Sequence, residues 1–186
     1  YALRTLLAAG HEEDLFDAYD EIVGASGLSS HLSTNGEARM VDVSPKQVSQ
    51  RRAVASARVK MGALTLRQLM QGEASKGDVI AVSRIAGIMA VKRTSELIPL
   101  CHPIATTKAT VEIVVDHQLP GLLIRCVVDA VDRTGVEMEA MTGASVAALT
   151  VYDMLKGIDR GMTIESVQLD LKEGGRSGRW ERQPTI

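Results

Sequence analysis

Aromatic residues are nearly missing from this chain: one Trp, one Phe and three Tyr make up 3% of its 186 residues. Stacking platforms for unpaired bases have nothing to be built from, which argues against a single-strand nucleic-acid binder. An excess of either charge is missing too. With 21 basic and 23 acidic residues the net charge is -2, so no global basic field holds a polyanion, and phosphate recognition must come from a local cluster. Two cysteines, Cys101 and Cys126, are too few for a disulfide framework and point to a reducing compartment. No apolar run approaches the ~20 residues that cross a bilayer, and no apolar leader is present, so no membrane partner is expected and a cytoplasmic setting fits best. The chain opens on Tyr1, and a mitochondrial setting is the alternative if a targeting segment was removed. Internal repeats and low-complexity tracts are also absent.

What is present is aliphatic. The apolar fraction is 45%, carried by Val, Ile, Leu, Ala and Met, enough for one domain with a short appendage. Residues 1–28 read as an N-terminal extension, with Leu3, Leu6, Leu7, Leu15, Ile22 and Val23 predicting a helix over 1–23 and a Gly/Ser-rich break over 24–30. The main domain is expected over 29–186. Alternation predicts a strand over 52–61, then a short helix over 65–71 ended by Gly72. A longer helix is predicted over 77–93, with Val79, Ile80, Val82, Ile85, Ile88, Met89 and Val91 on its buried side. Pro99 and Pro103 enforce a loop, and strands over 109–115 and 122–131 are joined by a turn over 118–121. A helix over 134–156 and a strand over 163–171 complete the order strand, helix, two strands, helix, strand. That order predicts an α+β, ferredoxin-like antiparallel sheet with its helices packed on one face. The other face needs cover, and an oligomer supplies it economically.

The long helix carries the most informative residues. Thr134 and Glu137 have capping-box spacing, which gives Glu137 a structural reason. Glu139 has none, and it lies about 40° from Asp153 in helical projection, on a face with Thr142, Val146 and Leu149 that suggests a cavity wall. Glu139 and Asp153 are nevertheless ~21 Å apart along a straight helix. They cannot serve one small substrate within one chain, so either their jobs differ or the site is assembled between subunits. Asp153 and Lys156 are spaced as an ordinary surface ion pair, or as a proton-transfer pair in a buried anion site. Lys76-Gly77-Asp78 reads as an N-cap beside a solvated cation, or as a phosphate contact at a helix start. Over 172–179, Lys172, Arg176 and Arg179 interleave with three glycines, a composition that lets backbone N–H groups and cations converge on an anion. His102, fixed between Cys101 and Pro103, is either a proton-transfer group or a structural hydrogen-bonding loop residue. Neither a zinc spacing nor an oriented Cys-His nucleophilic pair is legible.

Taken in order, Met40-Val41-Asp42-Val43-Ser44, Lys76-Gly77-Asp78, Leu97-Ile98-Pro99-Leu100-Cys101-His102-Pro103, Thr134-Gly135-Val136-Glu137-Met138-Glu139-Ala140, Thr150-Val151-Tyr152-Asp153-Met154 and Gly174-Gly175-Arg176-Ser177-Gly178 resemble the cyclic pyranopterin monophosphate synthases of molybdenum cofactor biosynthesis. The resemblance runs from about His31 to Trp180 and leaves residues 1–28 without a function. It implies a homohexamer built as a trimer of dimers, with active sites at subunit interfaces. It implies a phosphorus-oxygen lyase acting on a nucleotide-derived small molecule, (8S)-3',8-cyclo-7,8-dihydroguanosine 5'-triphosphate, and releasing pyrophosphate. Lys76, Asp153 and Lys156 match the family's catalytic positions; Arg51, Leu100, Cys101, His102, Glu137, Met138, Glu139 and Lys172 match substrate-binding or supporting ones. No protein cofactor or metal ligand set is implied, and no oxygen-rich cage for Mg²⁺ is visible, which leaves the triphosphate as the carrier of any such ion. Arg133, Leu155 and Gly157 depart from residues common in other members. The competing readings are a non-catalytic ferredoxin-like nucleotide-binding module, and a scaffold subunit in which these side chains are replaceable.

Overall fold

A computed structural model describes residues 38–116 and 120–183. The helix expected over 1–23 and the break over 24–30 therefore lie outside the described residues, as do residues 118 and 119 of the expected turn. The chain divides into two compact units, Tyr1–Val41 and Asp42–Ile186, and the second carries the sheet and its helices.

The order in that unit is β1 (Ser49–Lys60), α1 (Ala63–Met70), α2 (Val79–Val91), α3 (Thr94–Leu97), β2 (Thr106–Asp116), β3 (Gly121–Asp132), α4 (Glu137–Leu155), β4 (Thr163–Glu173) and β5 (Trp180–Glu181). The strands form one sheet in the order β2-β3-β1-β4-β5, with every neighbouring pair antiparallel. Alternation decides which side of the sheet is the core. Ala53, Ala55, Ala57 and Val59 of β1, Leu122, Ile124, Cys126, Val128 and Ala130 of β3, and Val111 and Ile113 of β2 are buried with Ala140, Ala144, Ala147, Ala148, Val151 and Leu155 of α4. The opposite face keeps Val114 and Val131 more than half exposed. Two further apolar side chains, Val54 and Val127, are buried off the main core.

Within the described residues the expected elements are present, with corrected ends and part of one face corrected. Strands run two to three residues further than their apolar alternation suggests, because ladder bonding continues into Ser49, Thr106 and Glu173 where side chains are polar. α2 starts after Asp78, whose carboxylate accepts from the Ala81 N–H at 2.9 Å, the N-cap reading of that residue. Its buried side is only partly the one predicted: Val79 and Val91 are buried and Ile80 and Ile88 pack against the core, as expected. Val82, Ile85 and Met89 are 42%, 58% and 49% exposed, whereas Ser83, Gly87 and Ala90 are buried. The physical reason is close approach to α4. A Cβ on Gly87 would stand 2.9 Å from the Gly143 carbonyl oxygen, and one on Gly143 would stand 2.6 Å from the Cys126 Sγ. Small residues let the two helices meet over the sheet, and Val82, Ile85 and Met89 are turned outward. α3 and β5 have no counterpart among the expected elements; both are too short to show a period.

Candidate active site

Candidate side chains gather at the two ends of α4, which runs without interruption for 19 residues. At its C-terminal end the Lys76 Nζ donates to the Asp153 carboxylate at 2.9 Å and to the Asp153 carbonyl oxygen at 2.9 Å. Lys156 meets the other carboxylate oxygen at 2.7 Å. One carboxylate thus holds two ammonium groups brought from the loop before α2 and from the last turn of α4. The hydrogen bond from Lys156, then that from Lys76, push the Asp153 carboxyl down to about 2. All three groups are roughly half exposed, so the cluster faces solvent as a preassembled acid with a cation on each oxygen. Lys76 is therefore not the solvated cation of the simpler sequence reading.

The N-terminal end is built differently. The capping box expected from Thr134 and Glu137 is not formed: the N-cap is Val136, with no side-chain hydrogen bond, and Glu137 is already the first helical residue. Glu137 instead folds back over Gly135, where a Cβ would collide with its carboxylate. Met138 is exposed beside it, while Glu139 is only 4% exposed. Burial, opposed by the residue's own N–H and reinforced by the charges of Glu137 and Asp132, pushes the Glu139 carboxyl up to about 7. The loop with Leu100, Cys101 and His102 is half-buried. Burial raises the Cys101 thiol, and the Glu139 charge adds to it. The cavity wall expected along one face of α4 is not found: Glu139 and Thr142 are buried, but Leu149 is 57% exposed and Asp153 faces solvent. Fourteen residues advance the projection by about 40°, enough to carry the stripe from the core to the surface.

Arg51 and Lys172 lie where β1 begins and β4 ends. The Arg51 guanidinium donates to the carbonyl oxygens of Asp132 at 3.1 Å and Arg133 at 3.0 Å. It passes so near Gly175 that a Cβ there would overlap it, and Gly175 has φ +72, a left-handed backbone suited to glycine. Lys172 donates to the Ser177 hydroxyl. Arg179 is paired with Glu173 and Glu181, so the expected convergence of three cations on an anion is not assembled within the tail; carboxylates close by neutralise one of them. A cleft of about 500 Å³ opens here, lined among others by Arg51, Arg52, Asp129, Glu173 and Gly174. Among the described residues, no group of three His, Cys, Asp or Glu is placed to hold a metal ion.

The MoaC family model matches residues 40–175, a span that contains every one of the side chains at the two ends of α4. The chain belongs to the MoaC family. It is 56% identical over 154 residues to the cyclic pyranopterin monophosphate synthase of Thermomicrobium roseum, covering 83% of this chain and 93% of the relative. It is 53% identical to the proteins of the same name from Cereibacter sphaeroides, over 84% of this chain and 98% of the relative, and from Brucella ovis, over 83% and 94%. Two features beside these candidate side chains escaped sequence reasoning. Asp159, in the turn after α4, carries no motif, and the seat of Arg51 under Gly175 is signalled only by the paired glycines.

Proposed function

We propose that the protein is a cyclic pyranopterin monophosphate synthase, a lyase of molybdenum cofactor biosynthesis. It converts (8S)-3',8-cyclo-7,8-dihydroguanosine 5'-triphosphate to cyclic pyranopterin monophosphate and pyrophosphate. The observation that carries the reading is the meeting of Lys76, Asp153 and Lys156, the first two lying 77 positions apart in the chain. A module that only holds a nucleotide needs positive charge; it does not need two ammonium groups organised on one ionised carboxylate. Forming a cyclic phosphate while expelling pyrophosphate gathers negative charge, which preorganised lysines stabilise, and the accompanying rearrangement needs proton transfers that a lysine-aspartate-lysine set can relay.

In this reading Lys76, Asp153 and Lys156 are catalytic, and Arg51, Leu100, Cys101, His102, Glu137, Met138, Glu139 and Lys172 bind or support the substrate. The two groups lie at opposite ends of α4, ~21 Å apart. A complete site is therefore assembled between subunits of a homohexamer, a trimer of dimers. The strand order β2-β3-β1-β4 with helices against one face supports a ferredoxin-like subunit, and the exposure of Val114 and Val131 on the other face supports its oligomerisation. Any Mg²⁺ arrives with the triphosphate. Two free cysteines, and no helix among the described residues apolar enough to cross a membrane, support a cytoplasmic setting.

The test is pyrophosphate release and pterin formation from freshly prepared substrate, with Lys76→Ala and Lys156→Ala alongside. Turnover in the parent is expected to fall by about 100-fold or more in either variant, with assembly intact. Tight binding without turnover in the parent would instead favour the nucleotide-binding module.

A further inference from the structure

The turn after α4 contains an acid that the proposed chemistry does not use. The Asp159 carboxylate accepts from the Gly62 N–H at 2.8 Å, from the Thr65 hydroxyl at 3.1 Å and from the Gly161 N–H at 2.8 Å. Gly62 is the N-cap of α1, a helix that has no capping side chain of its own and no acid in its first turn. Asp159 thus supplies both the missing cap and the missing negative charge from 94 and 97 positions away. Its own backbone is held in turn, because its N–H donates to the Leu155 carbonyl oxygen at 3.0 Å at the end of α4. Tyr152 fastens the same turn through its hydroxyl, which donates to the Arg160 carbonyl oxygen at 3.1 Å.

The consequence reaches the lysine cluster. α1 and the loop behind it lead directly from the Asp159 contact to Lys76. That stretch turns at Gly72 and Gly77, both with positive φ, and is pinned internally by the Gly77 N–H to the Ala74 carbonyl oxygen at 3.0 Å. Leu69 and Ala74 anchor its middle in the core, and its two ends are tied to the end of α4 by hydrogen bonds, to Asp159 at the start and to Asp153 at the finish. Core burial holds the middle of the segment, and the two polar ties fix the orientation of its ends. Thr65 is 4% exposed although it is a polar residue on a surface helix, so its hydroxyl is enclosed around this bond.

We propose that Asp159 is a positioning residue for the reaction: by clamping α1 to the turn after α4, it holds Lys76 against Asp153 opposite Lys156. The proposal rests on the catalytic reading of those three side chains. Gly62 and Thr65 are its working partners, and Gly161 orients its second oxygen.

The full chain is compared with Asp159→Ala, Asp159→Asn and Thr65→Val. Steady-state kinetics are measured well below each melting temperature, and carbon NMR follows the Asp153 carboxyl against pH. Asp159→Ala is expected to lower kcat on the order of 10- to 100-fold, as for a misplaced catalytic group. Asp159→Asn, which keeps one acceptor oxygen for Gly62 and Thr65, recovers most of that loss, and Thr65→Val falls between. As Lys76 drifts from Asp153, the carboxyl midpoint rises from about 2 towards the ordinary value of 3.8 in Asp159→Ala. A lower melting temperature with unchanged kcat and an unmoved Asp153 midpoint would overturn the proposal and leave Asp159 a purely structural cap. A parent without turnover would sink the catalytic reading instead, while the NMR arm still decides whether Asp159 places Lys76.

Discussion

Two carboxylates on the same helix are pushed in opposite directions, and the causes separate their roles. Asp153, in water between two ammonium groups, is held near 2 and stays ionised at any working pH. Glu139, buried, is raised from 4.5 to about 7. Its folded form therefore binds a proton more tightly than the unfolded chain. Its contribution to stability is full below about pH 4.5 and is lost as pH rises through 7, where the buried charge costs up to about 3 kcal/mol. Glu139→Gln mimics the protonated side chain. Its urea midpoint is expected to exceed the parent's at pH 8 and to approach it at pH 5; equal midpoints at both would mean that Glu139 finds a compensating partner. Glu139 was legible in the sequence as an acid without a capping excuse, but its burial was not. Burial depends on which stripe of α4 meets the sheet, and that is settled by neighbours far away in the chain.

Periodicity located the helices and strands of the described residues, yet it placed Val82, Ile85 and Met89 of α2 wrongly on the buried side. Hydrophobic pattern assumes that the largest apolar residues face inward. Where two helices cross closely, the smallest do, and Gly87 and Gly143 mark the crossing. Adding a methyl group at Gly143 forces Cys126 and Val91 aside, whose atoms lie 2.6 and 2.7 Å from the added carbon. Gly143→Ala is expected to cost about 1–3 kcal/mol in urea unfolding. Gly157, just beyond the same helix, has nothing within 4 Å of an added Cβ and no positive φ. Gly157→Ala is expected to stabilise by roughly 0.4–1 kcal/mol by restricting the unfolded chain. The opposite signs of these two glycine substitutions test the packing directly. The capping box failed for a related reason: Thr134 and Glu137 have the right spacing, but Gly135 and Val136 carry the chain on before the helix begins, and spacing alone does not say where the first turn closes.

Helices cover one face of the sheet; on the other, Val54 and Val127 are buried while Val114 and Val131 stay exposed, and on the outer side of α2 so do Val82, Ile85 and Met89. The ordered motifs made the family and the lysine-aspartate-lysine set legible, because those residues lie within short segments whose order in the chain carries the resemblance. The Asp159 clamp was illegible, because an aspartate in a turn reads as any other solvated acid until the fold brings Gly62 and Thr65 to it.

The unbroken run of α4 has a genetic corollary. A helix that keeps its two ends apart makes each defect local to one end, and the proposed site, shared between subunits, would draw one end from each. Two alleles, one damaged at Glu137 and the other at Lys156, should each be null alone yet complement when co-expressed. In a mixed two-fold pair one site inherits both lesions and its twin inherits neither. Random pairing then restores roughly a quarter of parental activity. Co-purified mixed assemblies that remain inactive would place both ends in separate sites and return the chemistry to the single chain.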